Sequence, residues 1–203
     1  MAEEYLQQVY DLQNQEDTDA YYSAWASTYD DELTSQGYAT PTRCADALKQ
    51  FVPLNTPILD IGCGTGLSGA AFRTAGFTDI SGSDVNAEML QIAEQAAIYR
   101  TTWVTDLTAP FPFEPGTYGA VAAVGVIGVG AAPITLLGEA LDALAPGGHF
   151  VFSFNDHVLA SPEFMQVLHD LIASGQADEM SAKHGPHITG LGSMSTVYVL
   201  RRH

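Results

Sequence analysis

Three carboxylates and a run of glycines hold the chemistry this sequence offers. Asp60 closes the apolar stretch "PILDIG", and four glycines, Gly62, Gly64, Gly66 and Gly69, follow within eight positions. Asp84 ends "DISGSD", 18 residues after Gly66, and Asp106 ends "RTTWVTD". Glycine has no side chain and tolerates positive φ, so the chain can turn tightly and a ligand can lie against the backbone. Amides at the start of the following helix then donate to a carboxylate or a phosphate. Two ligand classes use this geometry: a dinucleotide, through its pyrophosphate, and a nucleoside that carries an amino-acid tail. Gly64, Gly66 and Gly69 satisfy the dinucleotide spacing G-x-G-x-x-G, and Gly62, Gly64 and Gly66 the tighter G-x-G-x-G. Close helix–sheet packing is the plainer use of the same glycines. Asp60 separates the two ligands, because a carboxylate there repels a pyrophosphate and pairs with an ammonium group, directly or through water. Asp84 can accept both hydroxyls of a ribose, or cap the helix that opens near Asn86. Asp106 can accept from an adenine's exocyclic amine, or serve as an ordinary turn acid.

The elements that position these groups alternate. "PILDIG" reads as a strand, "LSGAAFRTAG" as a helix with Gly76 past its end, and "DISGSD" as a strand. "NAEMLQIAEQA" reads as a helix capped by Asn86. "RTTWVTD" and "YGAVAAVGV" are strands around a Pro-rich loop. The helix "PITLLGEALDALAPGG", the strand "HFVFSFND", the helix "SPEFMQVLHDLIASG" and a last strand "STVYVLRR" follow. Such alternation specifies a doubly wound α/β sheet, mostly parallel, with helices on both faces. Ligands of these sheets sit beyond the carboxyl ends of the strands where strand order reverses, and the glycine bend follows the first strand. Residues 1–52 read instead as a helical preface: "AEEYLQQVYDLQ", the aromatic-rich "YYSAWASTYDDEL", and "TPTRCADALKQFV" with Thr40 as N-cap and Pro41 in its first turn. Residues 53–203 form the ligand-binding domain, and the two parts make one structural unit.

The bulk numbers narrow the partners. With 203 residues, 46% hydrophobic and 15% charged, the chain is long enough for a sizeable core. Its 24 acids against 7 basic residues give a formal net charge of −17, which repels nucleic acids and anionic membrane surfaces and suits a neutral or cationic small molecule. Residues 115–138 carry no charge, yet six glycines and two prolines interrupt them, so a buried strand and helix is expected rather than a membrane span. Two cysteines and a polar, acidic start point to a reducing cytoplasm.

The ordered set of motifs resembles the class I S-adenosylmethionine-dependent methyltransferases. "ILDIGCGTG" looks like that family's first motif, "GSDVNAEML" its ribose motif, "VTDL" its adenine-contacting segment, and "LAPGGHFVFS" its turn into the fifth strand. "YYSAWASTYDDEL" resembles the preface of small-molecule methyltransferases. "FVFSFNDH", "HGPH" and "STVYVL" are similar to a bacterial methyltransferase-like branch. The resemblance implies a Rossmann-like seven-stranded sheet with its last strand antiparallel, S-adenosylmethionine as cofactor, S-adenosylhomocysteine as product, and a small-molecule acceptor. It assigns Asp60, Gly62, Cys63, Gly64, Thr65 and Gly66 to the methionine tail and Asp84 to the ribose. Val85 and Met89 would flank the adenine, with Asp106 and Leu107 on its edge and face. Val124 and Gly125 would lie beneath the sulfonium, and Tyr22, Trp25 and Tyr29 would form a lid whose aromatic faces attract that cation. The same aromatics could instead staple the preface to the sheet.

Gly119 stands where many relatives have an acid. The end of the fourth strand, "AVGVIGVG", lacks the polar groups many nitrogen methyltransferases place there. Catalytic candidates are therefore His157, His184 and His187, since an imidazole takes a proton near neutral pH. His184 and His187 have near-metal spacing but no accompanying ligands, and no metal is expected. Cys63 lacks a local base and is not read as a nucleophile. Two other readings stay open, an NAD(P)-dependent oxidoreductase and a non-catalytic nucleotide-binding protein of the same fold.

Overall fold

The computed structural model describes residues 15–106, 109–128 and 131–203. Helices α1 (Gln15–Trp25), α2 (Tyr29–Ser35) and α3 (Thr40–Leu48) precede the first strand, β1 (Ile58–Ile61). Then come α4 (Leu67–Ala75), β2 (Ile80–Asp84), α5 (Ala87–Gln95), β3 (Thr101–Val104), β4 (Tyr118–Ala123) and α6 (Leu136–Asp142). The chain closes with β5 (Leu144–Asn155), α7 (Asp156–Leu159), α8 (Pro162–Ala173), β6 (Ala177–Ile188), a short 3₁₀ turn, and β7 (Ser193–Arg202). The seven strands form one sheet in the order β3-β2-β1-β4-β5-β7-β6. β7 runs antiparallel to both neighbours, and the pairings among β1 to β5 are parallel. Strand order reverses between β1 and β4, so the crevice beyond their carboxyl ends is the place for a ligand.

Period-two alternation divides the core between two faces. Leu59, Ile61, Val121, Ala123, Phe150 and Phe152 pack with α6 and α8 on one face. Ile58, Ile80, Ala120, Ala122, Val151 and Val199 pack with α3 and α4 on the other. Asp60 shares the parity of Ile58 and so enters the α3/α4 face, although it is an acid.

Several expectations shift. The strand that completes the sheet on one edge, β6, covers "KHGPHI", a stretch in which the sequence pattern marks no strand. It is largely polar, contains Gly185 and Pro186, and is exposed along half of its length, so it has no apolar alternation to reveal it. Proline and polar side chains are tolerated on an edge strand because its outer side needs no partner. Strand β5 begins five residues earlier than "HFVFSFND", at Leu144, and the intervening Gly147 takes a positive φ of 84° as the ladder with β4 changes register. Helix α3 starts at Thr40 itself, and the Thr40 hydroxyl makes no cap; it turns inward to His187 and Ser195. Asn86 does cap α5, accepting from the Met89 amide at 2.9 Å. The helix read at "AEEYLQQVYDLQ" lies outside the described residues.

Candidate functional site

The bend between β1 and α4 is built from glycines in the left-handed region: φ is 67° at Gly62, 53° at Gly64 and 104° at Gly66. Gly62 also answers a close approach, because a Cβ there would sit 2.6 Å from the Val126 methyls. At Gly64 a Cβ would meet nothing within 4 Å, so the backbone faces open space. Asp84 reaches across from the end of β2. One carboxylate oxygen accepts from the Gly64 amide at 2.7 Å and the other from the Asn86 amide at 2.9 Å. The acid thus ties the bend to the start of α5.

Beyond these strand ends lies a cavity of about 560 Å³. Gly62, Asp84, Val85 and Asp106 line it together, with Phe111 and Val126 among its apolar walls. Sequence reasoning chose the first four from three separate segments, and one cavity gathers them. Asp60 is not among its lining residues. Fully buried beneath the bend, it accepts on a single oxygen, Oδ2, from the Ser68 hydroxyl at 2.6 Å and the Tyr99 hydroxyl at 2.8 Å. Its other oxygen, Oδ1, is buried without a partner. Burial lifts the Asp60 carboxyl to about 7, the Asp84 charge adds to this, and the two hydroxyls oppose it. The Cys63 thiol is driven up by burial and by both acids, so it stays protonated and is no nucleophile.

The N-terminal helices cover the bend. Trp25 stacks on Tyr22 with ring centroids 5.9 Å apart and meets Tyr29 edge-on at 4.6 Å. Trp25 forms a cluster with Leu33 and Ile188, against which Tyr22, Tyr29, Tyr38 and Leu67 pack, so the aromatics pin the preface to the domain. Burial, and then the neighbouring Tyr22, Tyr38, Asp84 and Asp30, hold the Tyr29 hydroxyl far above its ordinary range. Polar ties fasten the cover. The Thr65 hydroxyl donates to Asp30, the Asn86 amide donates to the Ser23 hydroxyl at 2.8 Å, and that hydroxyl donates to Glu88 at 3.2 Å. Sequence reasoning missed Ser23, Asp30 and Tyr38. The acid after Tyr29 in the aromatic preface was the one signal available.

The remaining candidates divide. Met89 is buried under the α5 cap. Val124 belongs to the α3/α4-face core. Gly125 has a φ of 69°, donates its amide to the Ser153 hydroxyl at 2.9 Å, and leaves room for the Tyr38 hydroxyl, which a Cβ would overlap. Leu107 lies outside the described residues. His157 is exposed on α7, and His184 is exposed on β6, 3.2 Å from the Thr196 hydroxyl. His187 is buried, its Nδ1 2.8 Å from the Thr40 hydroxyl, which in turn lies 3.1 Å from that of Ser195. Burial and the Arg43 charge lower His187 to about 4, so it is a neutral joint between α3, β6 and β7. Tyr38 meets its ring edge-on at 5.3 Å. Among the described residues, no three His, Cys, Asp or Glu side chains are grouped to hold a metal.

Strand order and glycine bend together define the class I methyltransferase fold. Residues 58–148 match the model of the methyltransferase domain family. Over 132 residues the chain is 34% identical to human methyltransferase-like protein 27, covering 63% of this chain and 54% of that protein. The chain thus spans about half the length of that curated relative. Its fold is similar to a TehB-like SAM-dependent methyltransferase of Corynebacterium glutamicum, with a TM-score of 0.65 and 21% identity over 91% of this chain and 99% of that one. It is also similar to magnesium protoporphyrin IX methyltransferase of Synechocystis, solved with bound SAM, with a TM-score of 0.63 and 16% identity over 83% and 81% of the two chains. Residues 58–148 thus match a methyltransferase domain, on a fold similar to those of S-adenosylmethionine-dependent methyltransferases.

Three observations test whether the residues present suit S-adenosylmethionine: acids from two strand ends on one cavity wall, an open backbone cradle at Gly64, and a buried carboxylate oxygen without a donor. They fit its two hydroxyls, its amino-acid tail and its cationic groups.

Proposed function

We propose that this protein transfers the methyl group of S-adenosylmethionine to a small-molecule acceptor and releases S-adenosylhomocysteine. The observation that carries the reading is the shared cavity, where Gly62, Asp84, Val85 and Asp106 meet at the strand-order reversal. Asp84 accepts the ribose hydroxyls from the end of β2. Asp106 accepts from the exocyclic amine of the adenine, with Val85 and Leu107 against the ring and Met89 supporting that wall from behind. The amino-acid tail lies along the Gly62 to Gly66 bend, where the backbone at Gly64 is open, and Asp60 answers its ammonium through the bend or a bridging water. Tyr22, Trp25 and Tyr29 close the site, exclude water and offer aromatic faces to the cation.

The bound cofactor supplies an electrophilic methyl on sulfur; the chain supplies position. Val124 and Gly125, just past the end of β4, would lie below that point, with the Tyr38 hydroxyl against Gly125. His157 and His184, exposed beyond the ends of β5 and on β6, are the groups that could take a proton from an acceptor hydroxyl. The net charge of −17 supports a neutral or cationic acceptor over a nucleic acid. No helix among the described residues is long and apolar enough to cross a membrane.

Calorimetric titration with S-adenosylhomocysteine and, separately, with NADH tests the reading. One-site binding of the first and none of the second is expected, and the reverse favours a dinucleotide enzyme. Turnover of labelled S-adenosylmethionine with a panel of amines, phenols and carboxylates then tests the transfer. Cofactor binding with no turnover on any acceptor leaves a nucleotide-binding protein of this fold.

A further inference from the structure

Tyr99 lies between α5 and β3, outside every motif that marks the site, yet the structure is shaped around it. Its ring occupies the space that side chains at two glycines would need. A Cβ on Gly69, in the first turn of α4, would overlap the ring, and one on Gly82, in β2, would fall 3.0 Å from it. A Cβ on Gly66, the last glycine of the bend, would touch the ring edge at 3.5 Å. The ring is therefore a bed on which the bend, the helix start and the second strand all rest.

Its hydroxyl completes a chain of bonds. Gly69 is the third residue of α4, so its amide is among the helix's first donors, which have no intrahelical acceptor. That amide donates to the Tyr99 hydroxyl at 3.1 Å, and the hydroxyl donates to Asp60 Oδ2 at 2.8 Å. Ser68, one residue earlier in the helix, donates to the same oxygen at 2.6 Å. Both donors to Oδ2 are used up, and Oδ1 stays buried without one.

We propose that Tyr99 is the positioning residue of the cofactor bend, its hydroxyl holding Asp60 ionised and fixed against the first turn of α4, beneath the backbone along which the methionine tail would lie. The inference rests on the methyltransferase reading above. Among the described residues, the titratable groups that face Asp60 are Cys44 on α3, Cys63 in the bend, Asp84 at the end of β2 and Tyr99 itself, none of them basic. With no cation at hand, the hydroxyl donors of Tyr99 and Ser68 are what favour the charged form. Burial works against them and lifts the carboxyl to about 7, so the protonation of Asp60 falls inside the working pH range.

The test is S-adenosylhomocysteine affinity from pH 5.5 to 8.5, measured by calorimetry on wild type, Tyr99→Phe, Ser68→Ala and Asp60→Asn. Wild-type affinity should fall as pH drops below about 7. Tyr99→Phe keeps the ring and loses the donor, so affinity at pH 7.5 should drop about tenfold and the midpoint of its pH dependence should rise by about one unit, since a hydrogen bond to a charged group is lost. Ser68→Ala should move the midpoint the same way. In Asp60→Asn the pH dependence should vanish, and adding Tyr99→Phe there should change affinity by less than about threefold. Wild-type affinity and an unmoved midpoint in Tyr99→Phe overturn the proposal, as does a uniform loss of affinity with an unmoved midpoint, which is the mark of ring packing alone. Thermal melts confirm that each variant is folded, and should Tyr99→Phe not fold, an unmoved midpoint in Ser68→Ala overturns the proposal by itself. Failure of the wild type to bind at any pH strikes the methyltransferase reading instead.

Discussion

Replacing Asp60 by asparagine should change how stability depends on pH in a way that no surface acid could. The carboxyl is fully buried, faces no cation among the described residues, and is lifted from an ordinary 3.8 to about 7, chiefly by burial. The folded protein therefore holds this proton more tightly than the unfolded chain does. For an acid raised in this sense, the cost of ionising is absent below about pH 4, grows between pH 4 and 7, and is fully present above. At about 1.4 kcal/mol per pH unit, the full cost is about 4 kcal/mol, of which about 3 accrues between pH 5 and 8. Asparagine keeps an acceptor for Ser68 and Tyr99 and puts an unpartnered NH₂ where Oδ1 already lacks a donor. That penalty is independent of pH, so the difference between the two proteins is the informative quantity. Urea unfolding of the ligand-free protein at pH 5 and pH 8 should show wild type losing about 3 kcal/mol relative to the variant over this interval. Parallel stability curves would mean that Asp60 ionises as an exposed acid does, and the argument from burial would be wrong.

Further outcomes follow from the structure. Asp84→Ala removes the acceptor of the Gly64 and Asn86 amides as well as the ribose acceptor, and calorimetry should show S-adenosylhomocysteine affinity falling about 100-fold; a change under threefold contradicts the assignment. Gly125→Ala places a Cβ at a φ of 69° and onto the Tyr38 hydroxyl, so denaturation should show a loss of about 2 kcal/mol that Tyr38→Phe partly restores. His187→Ala should lower the melting temperature through the Thr40–Ser195 joint, while His157→Ala should not. Because His187 is depressed to about 4, the folded protein resists a proton that the unfolded chain accepts below about 6.5; wild type should lose stability between pH 6.5 and 4 relative to His187→Ala, and equal slopes argue against a buried neutral ring. Thr65→Val cuts the tie to Asp30, and S-adenosylhomocysteine should dissociate a few-fold faster in stopped-flow measurements if α2 is the cover.

What could be read from sequence, and what could not, follows from where each residue's partners lie. The parallel core was legible because its strands are apolar runs and its helices carry local stop signals, such as Gly76 at φ 107° and the Asn86 cap. Asp84 and Asp106 were legible because a strand-terminal acid in this alternation has one direction to face. Strand β6 was not, since an edge strand needs no apolar pattern and its pairing with β7 is a tertiary fact. The same long-range pairing buried His187 against Thr40, 147 residues away, and turned a candidate base into a structural group. Asp60 showed its position but not its partners. Nothing local indicates that Tyr99, 39 residues on, would take the oxygen that an ammonium group was expected to meet. Gly69 belongs with it: its place in a dinucleotide-like spacing hid the fact that a tyrosine ring needs the room.

The central claim is that the β1–α4 bend and the acids ending β2 and β3 embrace one adenosyl ligand. The crystal structure of the complex with S-adenosylhomocysteine tests it most directly. The account predicts the ribose hydroxyls on Asp84, the adenine amine on Asp106 and the amino-acid tail along Gly62 to Gly66, all within the cavity that now joins these residues. Density for the ligand elsewhere, with Asp84 touching only Gly64 and Asn86, would contradict it.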